Sequence, residues 1–243
     1  MFLTFFLHIS PLDRRGESPY HEDISHEGER TMRRTISRVL NCLIFVAIFT
    51  AWGQMVFSAE EGVLSTRGLG SLKYFTVLSN LLQGAASLLY ACRPVRHVLP
   101  RPLRLLKYAA ASAVGLTFLT VMAFLGPLFG YGSMFTGANF WFHLMVPLAA
   151  MADFCLLDRE GSLTRRDEPL AMAPMLLYAM GYMANLAIQG IGDWPDRHDF
   201  YFFLWNSKWW SGALSLVGMV LAAWLIAHSL RRIRARILYK SAC

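Results

Sequence analysis

Six long, mainly apolar runs dominate this chain, at 37–57, 72–92, 105–126, 137–157, 169–191 and 209–230. Each has about the 20 residues that a helix needs to cross the hydrocarbon core of a bilayer. Only helices and closed barrels satisfy their backbone polar groups at that depth. The apolar residues here run continuously or at helical spacing rather than in alternation, which argues against a transmembrane barrel. The chain is 55% hydrophobic and only 16% charged, against about 25% charged in soluble domains, and its charges gather between the runs. The sequence predicts an all-α polytopic integral membrane bundle of six transmembrane helices over 37–230. A basic and polar tail at 1–36, expected to be disordered, precedes it, and a basic tail at 231–243 follows.

The charges also set orientation. Arg14, Arg15, Arg30, Arg33, Arg34 and Arg38 lie at or before the start of the first run, and Arg93, Arg96, Arg101, Arg104 and Lys107 lie at the second-to-third connection. Arg159, Arg165 and Arg166 follow the fourth, and Arg231, Arg232, Arg234, Arg236 and Lys240 follow the last. The other side keeps only Arg67, Lys73, Arg197 and Lys208. Lysine and arginine collect on the cytoplasmic side of membrane proteins, so both termini are expected in the cytoplasm, in a multi-pass protein of a bacterial cytoplasmic membrane. The net charge of +7 is then a signal of topology and of contact with anionic lipid, not of a nucleic-acid partner. Cys42, Cys92 and Cys155 fall at cytoplasmic ends of their runs and Cys243 in the tail, so free thiols are expected. No CxxC or HExxH pattern occurs, and no metal or cofactor is expected. Met1–Ile9 is too short to span and is followed by charged residues rather than a cleavage site. Residues 1–31 read as a tail, or as sequence ahead of a natural start at Met32.

Polar residues inside the runs are costly and mark function or helix pairing. In the second run Thr76, Asn80, Gln83, Ser87 and Tyr90 recur every three or four residues, which puts them on one helix face. In the fourth, Asn139, His143 and Pro147 share a face; the fifth has Tyr178, Tyr182, Asn185 and Gln189; the first has Thr50 and Gln54. Counted from the outer ends of their runs at 1.5 Å per residue, Thr76 lies about 6 Å deep and His143 about 9 Å deep. A threonine hydroxyl needs a neighbouring base to act as a nucleophile, and neutral imidazole is such a base. Thr76 and His143 are therefore the candidate catalytic pair, with Asn80 and Asn139 as candidate oxyanion donors or orienting groups. Gln54, Ser79, Gln83, Asn185 and Gln189 are candidate pocket-lining residues. Asp153 lies roughly 15 Å beyond His143 along the same helix, too far to orient its ring.

The segment Lys73-Tyr-Phe-Thr-Val-Leu-Ser-Asn-Leu-Leu82, with Phe142-His-Leu-Met-Val-Pro147, resembles the androgen-induced and androgen-dependent (FAR-17a-like) membrane proteins and their bacterial relatives of unknown activity. The resemblance covers roughly 37–230. It implies a bundle of about six helices and an intramembrane Thr/His hydrolase of fatty-acyl esters, with Thr76 matching the family threonine and His143 the family histidine. Ser79, one turn from Thr76, is the alternative hydroxyl. A related six-helix group transfers acyl chains with a cysteine, and no cysteine lies near Thr76.

Two non-enzymatic functions stand beside the hydrolase. The polar interior could line a transporter or channel, with Asp153 continuing a proton route below His143, although no internal repeat of the kind that builds transporters occurs. It could also merely hold helices together as a scaffold. The expected partners are membrane lipids, among them a lipid-soluble acyl substrate. The 192–208 loop carries Trp194, Tyr201 and Trp205, followed by Trp209 and Trp210. It reads as an interfacial aromatic belt or as a lid over a lipid-facing site.

Overall fold

The computed structural model describes residues 19–57, 68–94, 98–158, 160–192, 198–204 and 207–240. Among them there is no strand. The principal helices are α1 (Pro19–Phe57), α2 (Phe75–Ala91), α3 (Arg101–Phe129), α4 (Gly137–Leu157), α5 (Glu168–Gln189) and α6 (Trp209–Lys240). All but α2 are long and apolar enough to cross a membrane. α2 has 17 residues, about 26 Å at 1.5 Å per residue, and is entered through a 3-10 turn at Gly68–Lys73.

Two helices outrun their predicted spans. α1 begins at Pro19, so residues 19–36 are helical where a disordered tail was expected. An i,i+4 pair between Glu29 and Arg33 at 3.7 Å supports this extension, Arg34 pairs with Glu160 in the connection after α4, and Ser37 bonds Asp153 on α4. α6 likewise runs on to Lys240 because Arg231 and Arg234 find partners inside the bundle.

α3 is the central helix, with Ala110, Val114 and Leu116 fully enclosed. Ile44, Ile48 and Ala51 of α1, Val77 of α2, and Phe142, Val146 and Ala150 of α4 pack with Val114 into one cluster. The outward faces are apolar as well: Leu43 and Val46 on α1, Leu177 and Met180 on α5, and Leu214, Val217 and Leu221 on α6 are exposed. An apolar exterior around an interior of buried Asn, Gln, Ser, Asp and Lys suits a lipid solvent and not an aqueous one.

Three π turns interrupt α3 and α4, at Val121–Leu125, Trp141–Met145 and Asp153–Leu157. Pro127 and Pro147 each lie two residues beyond a π turn. A proline inside a helix removes an amide and crowds the carbonyl four residues back, and a π turn is one way for a helix to absorb that conflict. The carbonyls it frees are taken from outside. Met122 O accepts the Tyr131 hydroxyl at 2.8 Å, and Phe142 O accepts Asn80 Nδ2 at 3.2 Å.

Candidate functional site

His143 sits inside the second π turn and is 6% exposed. Its Nδ1 lies 2.8 Å from the carbonyl oxygen of Met134, in the short connection before α4. A carbonyl can only accept, so Nδ1 carries the proton and the neutral ring presents Nε2 as its basic atom. A backbone group, rather than a carboxylate, orients this histidine.

Asn80 joins the two turns that carry Thr76 and His143. Its Nδ2 donates to Thr76 O at 2.8 Å and to Phe142 O at 3.2 Å. Both amide hydrogens are engaged by these two carbonyls. Ser79 is buried and spent in the same way: its hydroxyl donates to Thr76 O at 3.1 Å or meets Thr117 Oγ1 at 3.0 Å. The Ser79 and Asn80 side chains therefore both end on the Thr76 carbonyl, and half-buried Thr76 lines a cavity.

That cavity, of about 360 Å³, lies between α2, α3, α5 and α6, within the range of small-molecule pockets. Thr76, Thr117, Thr120, Val121, Met175 and Met219 are among its lining residues. Among the described residues, no Asp, Glu, Lys, Arg or His side chain lines it. Thr76 is the one predicted site residue that lines it; His143 does not. Val121 and Leu125, which form part of the wall, pack on Met134, the residue whose carbonyl holds His143.

The segment 198–204 closes one end of the cavity. Asp199, fully buried, accepts the Tyr182 hydroxyl at 2.7 Å and the amides of Phe203 and Leu204 at 2.9 and 3.0 Å. Tyr201 reaches back to the start of α2, where its hydroxyl accepts the Phe75 N–H at 2.9 Å. The N-terminal amides of a helix lack intrahelical partners, and Tyr74, at the N-cap position, supplies no side-chain bond, so Tyr201 caps α2 from a distance. Burial pushes the Tyr201 hydroxyl up to about 12. Tyr201 thus joins the cavity wall to the start of α2, whereas Trp209 and Trp210 are exposed at the head of α6. Trp194 and Trp205 lie outside the described residues.

The remaining expected residues spread out. Gln54 and Gln189 are exposed, and Asn139 and Asn185 are half-buried at the ends of their helices. Gln83 is buried but turns to Ser87, to which its Nε2 donates at 3.0 Å. None of these five lines the cavity.

A second cluster, at the opposite end of the bundle, escaped sequence reasoning. Lys107 and Arg234, counted as flanking charges by sequence, are almost wholly buried beside Asp153 and Asp158. Lys107 Nζ is 2.7 Å from Asp153 Oδ2 and 3.4 Å from Asp158 Oδ2, and Arg234 is 3.5 Å from Asp158 Oδ1. Ser37 bonds Asp153 Oδ1, and Asn41 Nδ2 donates to Asp153 Oδ2 at 2.8 Å. The Tyr90 ring lies under Lys107 Nζ at 3.6 Å. Two carboxylates and two cations thus fasten α1, α2, α3, α4 and α6 together. Val146 and Ala150, on α4 between His143 and Asp153, belong to the packed apolar layer that also holds Ile44, Val114 and Phe142. The legible signal was Asp153 itself: a carboxylate inside an apolar run demands a cation nearby. Cys42, Cys92 and Cys155 are free thiols, and no cluster of metal-binding side chains occurs among the described residues.

No protein-family model, curated protein or solved structure matches this chain.

Proposed function

We propose that the protein is a six-span membrane protein that admits a fatty-acyl ester to the cavity and hydrolyses it, with the Thr76 hydroxyl as nucleophile and His143 as its base. The observation that carries this reading is the position of Thr76, whose side chain faces an uncharged cavity while the Asn80 bridge holds its turn against that of His143. The resemblance to FAR-17a-like proteins at these two positions supports the same pair. Thr76 Oγ1 attacks the ester carbonyl carbon as its proton passes to His143 Nε2. The tetrahedral adduct collapses, the ester C–O bond breaks, and the alcohol leaves with that proton. A water, deprotonated in turn by His143, hydrolyses the acyl-threonine and releases the fatty acid.

Two observations favour a second reading, in which the cavity binds an acyl lipid without turnover. His143 is absent from the cavity lining, and both Asn80 donors are engaged elsewhere. Release of fatty acid from a bilayer-dissolved ester separates the two. The hydrolase reading expects Thr76→Ala and His143→Asn each to lose about 100-fold or more, and Thr76→Ser to keep measurable turnover. Equal rates in all three and the wild type would overturn Thr76 and His143 as the catalytic pair, and no release by the wild type would leave the binder.

A further inference from the structure

α3 and α6 touch at one end and part at the other. Deep in the bundle the Tyr108 hydroxyl donates to Ala227 O at 2.7 Å, and a Cβ placed on Gly115 would stand 3.0 Å from the Ile226 side chain. Toward the Trp209 end the partners change to 119–125 on α3 and 215–219 on α6, which face each other across the cavity. A Cβ on Gly218 would meet nothing within 4 Å.

The lining on this side is also the exterior of the molecule. Phe124 and Phe202 both line the cavity, yet are 52% and 50% exposed, and Ala123 and Gly218 are exposed with them. Phe202 holds a φ of 56°, a region that non-glycine residues rarely occupy, at the edge of this gap. Gly218 lies about 14 Å below the head of α6, and 119–124 about 8 to 15 Å below the end of α3. That is hydrocarbon depth for a spanning bundle, so the opening faces acyl chains, not water.

We propose that the gap between α3 and α6 is a lateral portal, and that the ligand enters through it from the bilayer as an acyl lipid with an uncharged polar group. This rests on the membrane-spanning, acyl-binding reading of the cavity and does not require turnover. Among the described residues the lining offers hydroxyls at Thr76, Thr120 and Ser215 but no charged partner of the kind a phosphate, carboxylate or ammonium needs when removed from water. An ester or alcohol finds donors there; a charged headgroup has no counter-ion. Gly218 is the portal's clearance residue, because any larger side chain there projects into the opening.

The full chain in nanodiscs, with an uncharged fatty-acyl ester bearing a diazirine in its chain, tests this by photolabelling and peptide mapping. The wild type should label on peptides containing Thr120 and Met219. Gly218→Trp should lower that labelling severalfold, and Gly218→Leu by less. Gly181→Trp, on an exposed α5 position that also has open space, should label as the wild type does. A phosphodiester probe with the same chain should label these peptides weakly. Equal labelling of Gly218→Trp and wild type, no labelling of either, or equal labelling by the phosphodiester would overturn the proposal. Variants are compared as monodisperse protein, and the graded Gly218→Leu guards against a misfolded tryptophan variant. Labelling is read without turnover, so a protein that labels at the portal but hydrolyses nothing removes the hydrolase and leaves the portal standing.

Discussion

Lys107 Nζ and Asp153 Oδ2 stand 2.7 Å apart with both side chains 2% exposed, joining α3 to α4 through a salt bridge enclosed by protein. Removing one partner of such a pair strands the other charge, whereas replacing both with apolar groups can be close to neutral. Lys107→Met should therefore cost about 3–5 kcal/mol, read as a lower Tm in detergent. Adding Asp153→Leu should recover part of that loss. A double variant less stable than the sum of the singles would contradict the pairing.

Asn80→Leu should destabilise the bundle by about 1–3 kcal/mol, because Phe142 O then lies buried without its donor. Its effect on any hydrolysis should follow the displacement of His143 relative to Thr76. An unchanged Tm and unchanged rate together would show that the bridge is idle.

His143→Asn and His143→Ala separate orientation from basicity. The asparagine amide can still donate to Met134 O, which His143 Nδ1–H now bonds, but it provides no base. His143→Asn should keep a near-native Tm while losing ester hydrolysis; His143→Ala should lose both. If the histidine only ties helices together, the asparagine variant remains fully active in whatever assay the wild type passes.

Tyr201→Phe removes the acceptor of the Phe75 amide and should cost about 1 kcal/mol. The clearest readout is faster hydrogen exchange at the first amides of α2, with amides deeper in that helix unchanged. The folded value of about 12 for Tyr201 lies above the usual 10 for tyrosine. Stability from the neutral buried hydroxyl is thus complete below pH 10 and declines as pH rises toward 12. Alkaline unfolding in that window should be less steep in Tyr201→Phe.

Hydropathy made the helices legible, and the three-and-four spacing made the α2 face legible: Asn80, Gln83 and Ser87 are buried, and Thr76 lines the cavity. Spacing says which residues share a face, but not what that face meets. Thr76 reaches the cavity whereas Gln83, two turns on, is closed against Ser87. By sequence Lys107 and Arg234 are flanking charges, because sequence cannot show that α3 begins at Arg101 and carries Lys107 inside the bundle. The cavity wall depends on the Val121–Leu125 π turn, and the remote cap on Tyr201 meeting α2. Both arise from tertiary contact and leave no periodic trace.

The Lys107–Asp153 cluster fastens one end of the bundle, and the cavity lies toward the other. A set of rods riveted at one end behaves as tongs. Small rotations about the rivet open the far tips widely and barely disturb the joint. The ion pairs, hydrogen bond and ring contact that join α1, α2, α3, α4 and α6 thus define a pivot. Widening between α3 and α6 then demands bending at the free tips rather than separation of whole helices. Loosening that rivet should show itself far away, as a change in how readily the tips admit a guest.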